Sequence, residues 1–242
     1  MKGVLICGGT GSRLRPLTDI TNKSLLPVYD KPLILYPLAT LTRAGITDVA
    51  VITGPEHIDQ MTSFLGSGSR FGCTFAYKVQ EKPDGIAQAL CLAEEFAEGG
   101  SVCAILGDNI FFDDLTPIIA SFQTGAHLFL KEVTDPKRFG VAEIQREKHG
   151  AACTVTSLQE KPAQPKSNYA VTGCYVYDKL CFDMIRSLTP SKRNELEITD
   201  LSISYLKKDG ITATILQDEW VDAGTFESLH RASVLVRERR KM

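Results

Sequence analysis

The residues best suited to chemistry lie in a glycine-rich loop near the start of the chain. Residues 8–18 read GGTGSRLRPLT and directly follow the apolar run Met1 to Cys7. Glycines lack a Cβ, so their backbone N–H groups can approach a ligand closely, and successive N–H groups of this kind form an anion site. Arg13 can grip two phosphate oxygens, and Lys23 adds a mobile positive charge. The pattern predicts a phosphate-binding loop.

This loop differs from two common phosphate loops. The dinucleotide fingerprint G-x-G-x-x-G requires a third glycine at position 14, where the chain has Leu14, and the Walker sequence is absent. Pro16 also prevents a helix from starting directly at the loop. A tight turn after a first strand is the plain structural alternative. The clustering of three glycines with Arg13 and Lys23 favours the phosphate interpretation.

Two aspartates have the setting of metal ligands. Asp108 follows the apolar run Val102 to Leu106 in the segment LGDN, and Asp222 lies in the segment WVDAGT. Mg²⁺ is bound in proteins by one or two carboxylates, with phosphate and water completing its shell. Either aspartate alone could be a turn or cap residue. Beside a phosphate loop, the two together predict a magnesium site.

A second polar pair, Glu160 and Lys161, precedes Pro162 in the segment EKP. Lys161 could bind a second phosphate, and Glu160 could accept hydrogen bonds from hydroxyl groups. From the local sequence alone, an exposed hairpin with a solvated Glu–Lys pair is the commoner outcome.

Composition places the chain among ordinary globular proteins. It has 242 residues, of which 43% are hydrophobic and 23% charged, and its net charge is -2. That charge provides no general attraction to nucleic acid or to a membrane. Seven cysteines are scattered without a C-x-x-C pair, which argues against a zinc site and fits a reducing compartment. With no signal peptide or apolar run of membrane-spanning length, we expect a cytoplasmic protein.

The hydrophobic pattern predicts an α/β fold. Strands are predicted over residues 1–7, 48–53, 74–79, 102–106, 126–132, 141–144, 153–158, 170–177 and 212–216. Helices are predicted over residues 33–44, 57–65, 86–97, 179–187 and 198–208 and from Phe226 to about Arg239. Strand–helix alternation in the first half predicts a Rossmann-like, mixed but mainly parallel central sheet flanked by helices. The short strands of the second half, joined by polar connections such as His149–Gly150, predict a smaller antiparallel lobe appended to that sheet.

The predicted sheet would gather the polar motifs into one cleft. Ligands of such sheets lie at the carboxyl ends of the strands. The glycine loop, the segment QEKPDG and the segment GDN each follow a predicted strand. No low-complexity linker is visible, and the boundary near residue 124 is soft, so we expect a single compact unit.

The motifs taken together resemble the sugar-phosphate nucleotidyltransferases. GGTGSRLRPLT with Lys23 and LLPVYDKP, QEKPDGIAQA, LGDN, RFGV, EKP, SNYAVTGCYVYD, ELEITD and WVDAGT occur in the order typical of that family, from Met1 to about residue 230. The resemblance implies a single domain over residues 1–242, with a nucleotide-binding half (1–124) and a sugar-phosphate-binding half with the terminal helix (125–242). It implies that dTTP and glucose 1-phosphate are joined to give dTDP-glucose and pyrophosphate, with Mg²⁺ as cofactor.

The resemblance also implies residue roles. The nucleotide would contact Gly8, Gly9, Gly11, Ser12, Arg13, Gln80, Pro83, Gly85 and Gln88. The sugar phosphate would contact Leu106, Gly140, Glu160, Lys161 and Val171. The metal ligands would be Asp108 and Asp222. The catalytic residues would be Arg13, Lys23, Lys161 and Asp108. The partners would be these small-molecule substrates and other copies of the chain, in a dimer or tetramer.

Several positions depart from the family pattern. Cys7 replaces a common alanine, Ser24 follows Lys23 where glutamine is frequent, and Phe139 replaces a frequent tyrosine. The last two bear on substrate preference. Longer bacterial members continue past the terminal helix with further helices that help form a regulatory nucleotide site, and we expect that site to be reduced or absent here.

Three other functions compete with this one. The first is transfer of another nucleotide, such as uridylyl, guanylyl or cytidylyl, because the thymine methyl group contributes only about 1–3 kcal/mol of discrimination against uracil. The second is a regulatory protein that binds nucleotide sugars without catalysis, which should have lost Arg13, Lys161, Asp108 or Asp222. The third is a nicotinamide dehydrogenase, which Leu14 argues against.

Overall fold

The computed structural model describes residues 1–146, 152–208 and 210–240. The connection expected at His149–Gly150 lies outside these residues. None of the helices within the described ranges has the length and apolar character needed to cross a bilayer.

The strands and helices follow one another in chain order. The strands are β1 (Lys2–Ile6), β2 (Pro27–Val28), β3 (Lys31–Pro32), β4 (Asp48–Thr53), β5 (Thr74–Val79), β6 (Val102–Leu106), β7 (Asn109–Phe111), β8 (Ala126–Glu132), β9 (Gly140–Arg146), β10 (Ala152–Glu160), β11 (Tyr169–Tyr177), β12 (Ile211–Ile215) and β13 (Trp220–Asp222). The helices are α1 (Leu35–Arg43), α2 (Ile58–Leu65), α3 (Ile86–Cys91), α4 (Glu94–Ala97), α5 (Thr116–Ser121), α6 (Leu180–Arg186), α7 (Ile198–Leu206) and α8 (Phe226–Arg239).

One nine-stranded sheet runs through both halves of the chain, in the order β5-β4-β1-β6-β11-β8-β12-β10-β9. The first four strands are parallel. Strand β11 is antiparallel to both β6 and β8, and β12 returns parallel to β8. The expected mixed α/β sheet is confirmed, and the antiparallel strands of the second half extend that same sheet.

Helices cover both faces of the sheet, which explains the uninterrupted apolar run of β1. Val4 and Ile6 pack into the core on one face, with residues of α3, α6 and α7. Leu5 and Cys7 pack into the core on the other face, with residues of α1 and α2. A strand buried on both sides needs apolar residues at consecutive positions. A smaller cluster joins α8 to the hairpin of β2 and β3.

Four features differ from the predictions. The helix predicted over residues 86–97 is divided into α3 and α4, with a break at Leu92 and Ala93. Helix α5 was not predicted, nor was the two-stranded ribbon of β7 and β13, nor the hairpin of β2 and β3. Each of these strands has only two or three residues, which is too short for a hydrophobic period to reveal.

A neutral histidine lies in the centre of the second half. His127 on β8 is only 8% exposed. Its two ring nitrogens lie 2.8 Å and 3.1 Å from the hydroxyl groups of Thr212 and Thr214 on β12. Burial lowers the pKa of His127 to about 4 from its ordinary value of 6.5. Since the unfolded chain then binds this proton more readily than the folded chain, the free energy of unfolding must decrease as pH falls from 6.5 towards 4.

We therefore predict that wild-type protein loses about 2 kcal/mol more stability between pH 7 and pH 5 than the variant His127→Gln does. The glutamine amide can still donate to one threonine hydroxyl and accept from the other, but it does not titrate. Urea denaturation at both pH values measures the two differences, and carboxylates common to both proteins cancel. Equal losses in the two proteins would show that His127 is not the group responsible.

Candidate active site

The described residues form a cavity of about 600 Å³ at the carboxyl ends of the parallel strands. The glycine loop follows β1, Gln80 follows β5, and Asp108 follows β6. The cavity volume falls in the range of small-molecule sites, about 300–1,000 Å³. The expectation that the three motifs at these strand ends line a single cleft is confirmed.

Almost all of the predicted site residues line this cavity. Those that do are Gly8, Gly9, Gly11, Ser12, Arg13, Lys23, Gln80, Pro83, Gly85, Leu106, Asp108, Gly140, Glu160, Lys161, Val171 and Asp222. Gln88 is the exception: it does not line the cavity, because its side chain lies against Gln80, from whose Nε2 it accepts a hydrogen bond of 2.7 Å.

The glycine loop takes backbone conformations that only glycine adopts readily. Gly9 has φ 93° and Gly11 has φ 60°. A Cβ at Gly11 would lie 2.8 Å from Cγ2 of Thr18, whose hydroxyl donates a 2.8 Å hydrogen bond to the carbonyl of Gly11. The loop continues as short 3₁₀ turns, the first at Ser12–Leu14 and the last at Lys23–Leu25. These turns bring Arg13 and Lys23 to the same cavity.

Asp108 and Lys23 form an ion pair at the centre of the cavity. The Lys23 Nζ donates to Oδ2 of Asp108, which is 4% exposed. The other carboxylate oxygen, Oδ1, accepts a 2.9 Å hydrogen bond from Nδ2 of Asn109. Burial would raise the pKa of Asp108, but the Lys23 ammonium outweighs burial with the help of hydrogen bonds and holds it below its usual value. Asp108 is therefore a carboxylate, not a carboxylic acid, at neutral pH.

The ribbon of β7 and β13 places Asp222 beside Asp108. In this antiparallel pair Asp222 is opposite Asn109. Asn109 Oδ1 accepts hydrogen bonds from the Trp220 Nε1 at 2.7 Å and from the Gly173 backbone N–H at 3.1 Å. The backbone N–H of Ala223 donates to the Asp108 carbonyl at 2.9 Å. The two aspartates are thus fixed next to each other by a buried network, although they are far apart in the sequence.

The surroundings of Asp222 favour a cation next to its carboxylate. Burial raises its pKa, and the charge of Asp108 raises it further. Its Oδ1 accepts a 3.0 Å hydrogen bond from the backbone N–H of Gly224. A Cβ at Gly224 would lie 2.8 Å from Nη2 of Arg13 and 2.9 Å from Oδ1 of Asp222, so the guanidinium and the carboxylate lie against the same glycine.

The far end of the cavity is built around Glu160 at the end of β10. Its Oε2 accepts a 2.6 Å hydrogen bond from the hydroxyl of Thr199, and its Oε1 accepts one of 3.1 Å from Nη2 of Arg193. The Lys161 Nζ lies 3.4 Å from the same Oε1. Lys161 itself has φ 39°, a strained conformation for a lysine. Lys161 remains exposed, but two hydrogen bonds hold Glu160 in place, which a solvated hairpin carboxylate would lack.

Among the cavity residues that were not predicted, four hold the polar network in place: Asn109, Trp220, Arg193 and Thr199. Asn109, Trp220 and Thr199 occur in the family-like segments LGDN, WVDAGT and ELEITD, but nothing in their local sequence gives them a role. Arg193 precedes ELEITD, and its Nη2 bonds to Glu197 at 2.7 Å as well as to Glu160. Its position depends on contacts between distant segments, which sequence alone does not reveal.

Comparisons with known proteins identify the family and the fold of this chain. The family model described as "Nucleotidyl transferase" matches residues 2–239. A structure with 24% identity, that of a UDP-glucose pyrophosphorylase with UDP-glucose, has a TM-score of 0.88, covers 98% of each chain and shows the same fold.

Closer relatives share far more of the sequence. A glucose-1-phosphate thymidylyltransferase of Neisseria meningitidis is 46% identical over 98% of this chain and 82% of its own length. One of Mycobacterium tuberculosis is 42% identical over 100% of this chain and 84% of its own. A Bacillus anthracis structure with sucrose, provisionally described as the same enzyme, is 49% identical, with a TM-score of 0.91 and coverage of 98% of this chain and 96% of that one. The chain therefore belongs to the nucleotidyl transferase family of enzymes.

Proposed function

We propose that this enzyme transfers a thymidylyl group from dTTP to glucose 1-phosphate, giving dTDP-glucose and pyrophosphate. The curated relatives that are 42–46% identical to this chain are named glucose-1-phosphate thymidylyltransferase, after that reaction. The observation that carries the proposal is one cavity with several cationic groups. The glycine loop with Arg13, the Asp108–Lys23 pair and the Glu160–Lys161 pair all line it. Two anionic reactants can therefore meet in this cavity.

The two halves of the chain take separate roles in this proposal. Residues 1–124 provide the glycine loop, Gln80 and the turn from Pro83 to Gly85 for the nucleotide. Residues 125–242 provide Gly140, Val171 and the Glu160–Lys161 pair for the hexose phosphate. Each end thus offers both cationic side chains and neutral contacts, as a substrate with a phosphate and a neutral group requires.

The two aspartates fit Mg²⁺. In the described part of the chain, no three histidine, cysteine, aspartate or glutamate side chains are grouped so that they could hold a metal ion, so a site here has two carboxylates at most. That number suits Mg²⁺, which takes its remaining oxygens from phosphate and water. Burial raises the pKa of Asp222 and the charge of Asp108 raises it further, and a cation between the two carboxylates would relieve that repulsion. When bound there, Mg²⁺ would neutralise phosphate charge during transfer.

The side chains need only align and neutralise the reactants. A hexose 1-phosphate has a second pKa of about 6, so it is already a dianion at neutral pH and can attack the α-phosphorus without a general base. Among the described residues, no histidine or cysteine lines the cavity. Arg13 and Lys23 would stabilise the pyrophosphate that leaves, and Lys161 would hold the attacking phosphate in line with it.

The direct test is pyrophosphate release from glucose 1-phosphate, Mg²⁺ and one nucleoside triphosphate at a time, chosen from dTTP, UTP, GTP, CTP and ATP. We expect the largest kcat/KM with dTTP, a smaller value with UTP and little release with the other three. A larger value with UTP than with dTTP would identify a uridylyltransferase. If no triphosphate supported release with any hexose 1-phosphate, the proposed function would be wrong.

A second prediction concerns the central aspartate. Asp108→Asn removes the charge that faces Lys23 and the metal, so kcat should fall by at least about 100-fold, a loss typical of removing an electrostatic catalytic group. The matched control is Asp114→Asn, because Asp114 is exposed and its Oδ1 only accepts a 3.0 Å hydrogen bond from the Thr116 backbone N–H, which an asparagine oxygen can also accept. Both variants should keep the far-ultraviolet circular dichroism of the wild type. An active Asp108→Asn with unchanged Mg²⁺ dependence would contradict the assigned role.

A third prediction separates the two ends of the cavity. Glu160→Ala removes the acceptor of the Thr199 hydroxyl and one acceptor of Arg193, which keeps its bonds to Glu197, and it removes an acceptor for sugar hydroxyls. The KM for glucose 1-phosphate should rise by about tenfold or more, while the KM for dTTP should change by less than about threefold, because the lost contacts lie at the sugar end. Steady-state kinetics with each substrate varied in turn measures both constants. Equal increases in the two would argue against this division.

A further inference from the structure

A buried asparagine closes the phosphate loop, residues 8–22. Asn22 is 1% exposed, and its Nδ2 donates a 2.9 Å hydrogen bond to the carbonyl of Cys7, the residue before the loop. Its Oδ1 accepts a 2.8 Å hydrogen bond from the backbone N–H of Ser24, the residue after Lys23. One side chain therefore joins the start of the loop to the turn at its end that carries Lys23.

Backbone groups fix the orientation of this amide. A backbone carbonyl can only accept a hydrogen bond and a backbone N–H can only donate one. If the amide of Asn22 turned over, its oxygen would face the Cys7 carbonyl and its NH₂ group would face the Ser24 N–H. Both hydrogen bonds would then be lost in a place that water does not reach, which is costly. The amide therefore has one permissible orientation.

The two ends of the loop also pack against the residue that precedes the central aspartate. A Cβ at Gly107 would lie 2.6 Å from Oγ of Ser24 and 2.7 Å from Sγ of Cys7, so the loop ends meet at this glycine. Asp108 follows directly, and its Oδ2 accepts a hydrogen bond from the Lys23 Nζ. The contact that closes the loop thus also places the ammonium beside its partner carboxylate.

A second amide, from α2, holds the loop from outside. Nε2 of Gln60 donates a 3.0 Å hydrogen bond to the carbonyl of Ile20. Its Oε1 accepts from the backbone N–H of Asn22 at 3.3 Å and from the hydroxyl of Thr21 at 3.2 Å. Among the described residues, no other hydrogen bond joins the middle of the loop, residues 15–21, to a residue outside it. Gln60 therefore supports the position that Asn22 sets.

We propose that Asn22 is a positioning residue for Lys23: by closing the phosphate loop, it holds the Lys23 ammonium where the triphosphate and the leaving pyrophosphate would lie. The inference rests on the proposed function, because it takes the cations of the loop to bind a nucleoside triphosphate. Asn22 is buried and does not line the cavity, so it does not touch the substrates. Its effect on them has to pass through Lys23.

An effect that passes through Lys23 differs from a general loosening of the fold. If Asn22 acts by holding the ammonium in place, its substitution must lose most of its effect once the ammonium is absent. A change that only destabilises the protein would weaken pyrophosphate binding by the same factor with and without Lys23. A double-mutant cycle between the two positions measures this difference.

The test compares wild type, Asn22→Ser, Lys23→Met and the double variant. Serine can still cap the turn through the Ser24 N–H, but its side chain is too short to bridge to the Cys7 carbonyl as well. Isothermal titration with inorganic pyrophosphate in Mg²⁺ measures binding apart from catalysis, and thermal unfolding checks that each variant is folded. Asn22→Ser should weaken pyrophosphate binding by about tenfold in the wild-type background and by less than about twofold in the Lys23→Met background.

The matched control is Asn168→Ser, because Asn168 is exposed and its side chain makes no hydrogen bond to the described residues. This variant should bind pyrophosphate as tightly as wild type.

Steady-state kinetics adds a readout that does not depend on Lys23→Met. The kcat should fall by about tenfold in Asn22→Ser. It should fall by about threefold in Gln60→Met, whose exposed position on α2 makes loss of the fold an unsuitable explanation. The KM for glucose 1-phosphate should change by less than about twofold in both variants, because the ammonium acts on the leaving pyrophosphate.

Three results would overturn the inference. They are pyrophosphate binding by Asn22→Ser as tight as that of wild type, equal weakening with and without Lys23, and a KM for glucose 1-phosphate that rises as much as kcat falls. If wild type binds pyrophosphate and dTTP and shows the expected cycle but releases no pyrophosphate with any hexose 1-phosphate, the proposed function fails while this inference stands.

Discussion

The site depends on keeping two like charges side by side in a buried place. Desolvation favours the protonated form of both Asp108 and Asp222, and the charge of Asp108 raises the pKa of Asp222 further. For Asp108 the Lys23 ammonium more than offsets desolvation. The fold sustains this arrangement because the Lys23 ammonium faces one carboxylate and the Arg13 guanidinium lies beside the other. Asn109, fixed by the Trp220 indole and the Gly173 backbone, prevents Asp108 from rotating away. Charge that would be costly in an ordinary core is therefore concentrated where phosphates and a cation can meet.

The same constraint explains why the site is assembled from distant segments. A buried carboxylate without a cationic partner destabilises the folded state, so each of these aspartates needs a cationic side chain next to it. Asp108 follows strand β6, Lys23 and Arg13 lie in the turns after the glycine loop, and Asp222 is the last residue of β13. Only a sheet whose parallel strands end at one edge brings such segments together, which makes this edge the natural place for the cavity.

The parts that could be predicted from sequence are those with local causes. The apolar run of β1, the glycines that need positive φ and the polar segments at strand ends each carry their own signal, and they sufficed to predict the cleft. The ribbon of β7 and β13 could not be predicted, because its hydrogen bonds join Asn109 to Trp220 across 111 positions. Arg193 was not predicted either, because its hydrogen bond to Glu160 also joins segments that are far apart in the sequence. Gln88 was predicted to bind the nucleotide but lies outside the cavity lining, because spacing along α3 does not show that its side chain bonds to Gln80.

A single segment connects two parts of the cavity wall. Arg193 and Glu197 are bonded to each other, and Arg193 also holds Glu160 at the end of β10. Three residues beyond Arg193, the backbone of Leu196 donates to the Asp84 carbonyl at 2.7 Å and accepts from the Ala87 N–H at 3.1 Å, beside the turn after β5. Only glycine fits at position 85, because a Cβ there would lie 2.3 Å from the Leu196 carbonyl oxygen. Gly85 is therefore needed where the turn after β5 packs directly against the segment that carries Arg193 and Glu197.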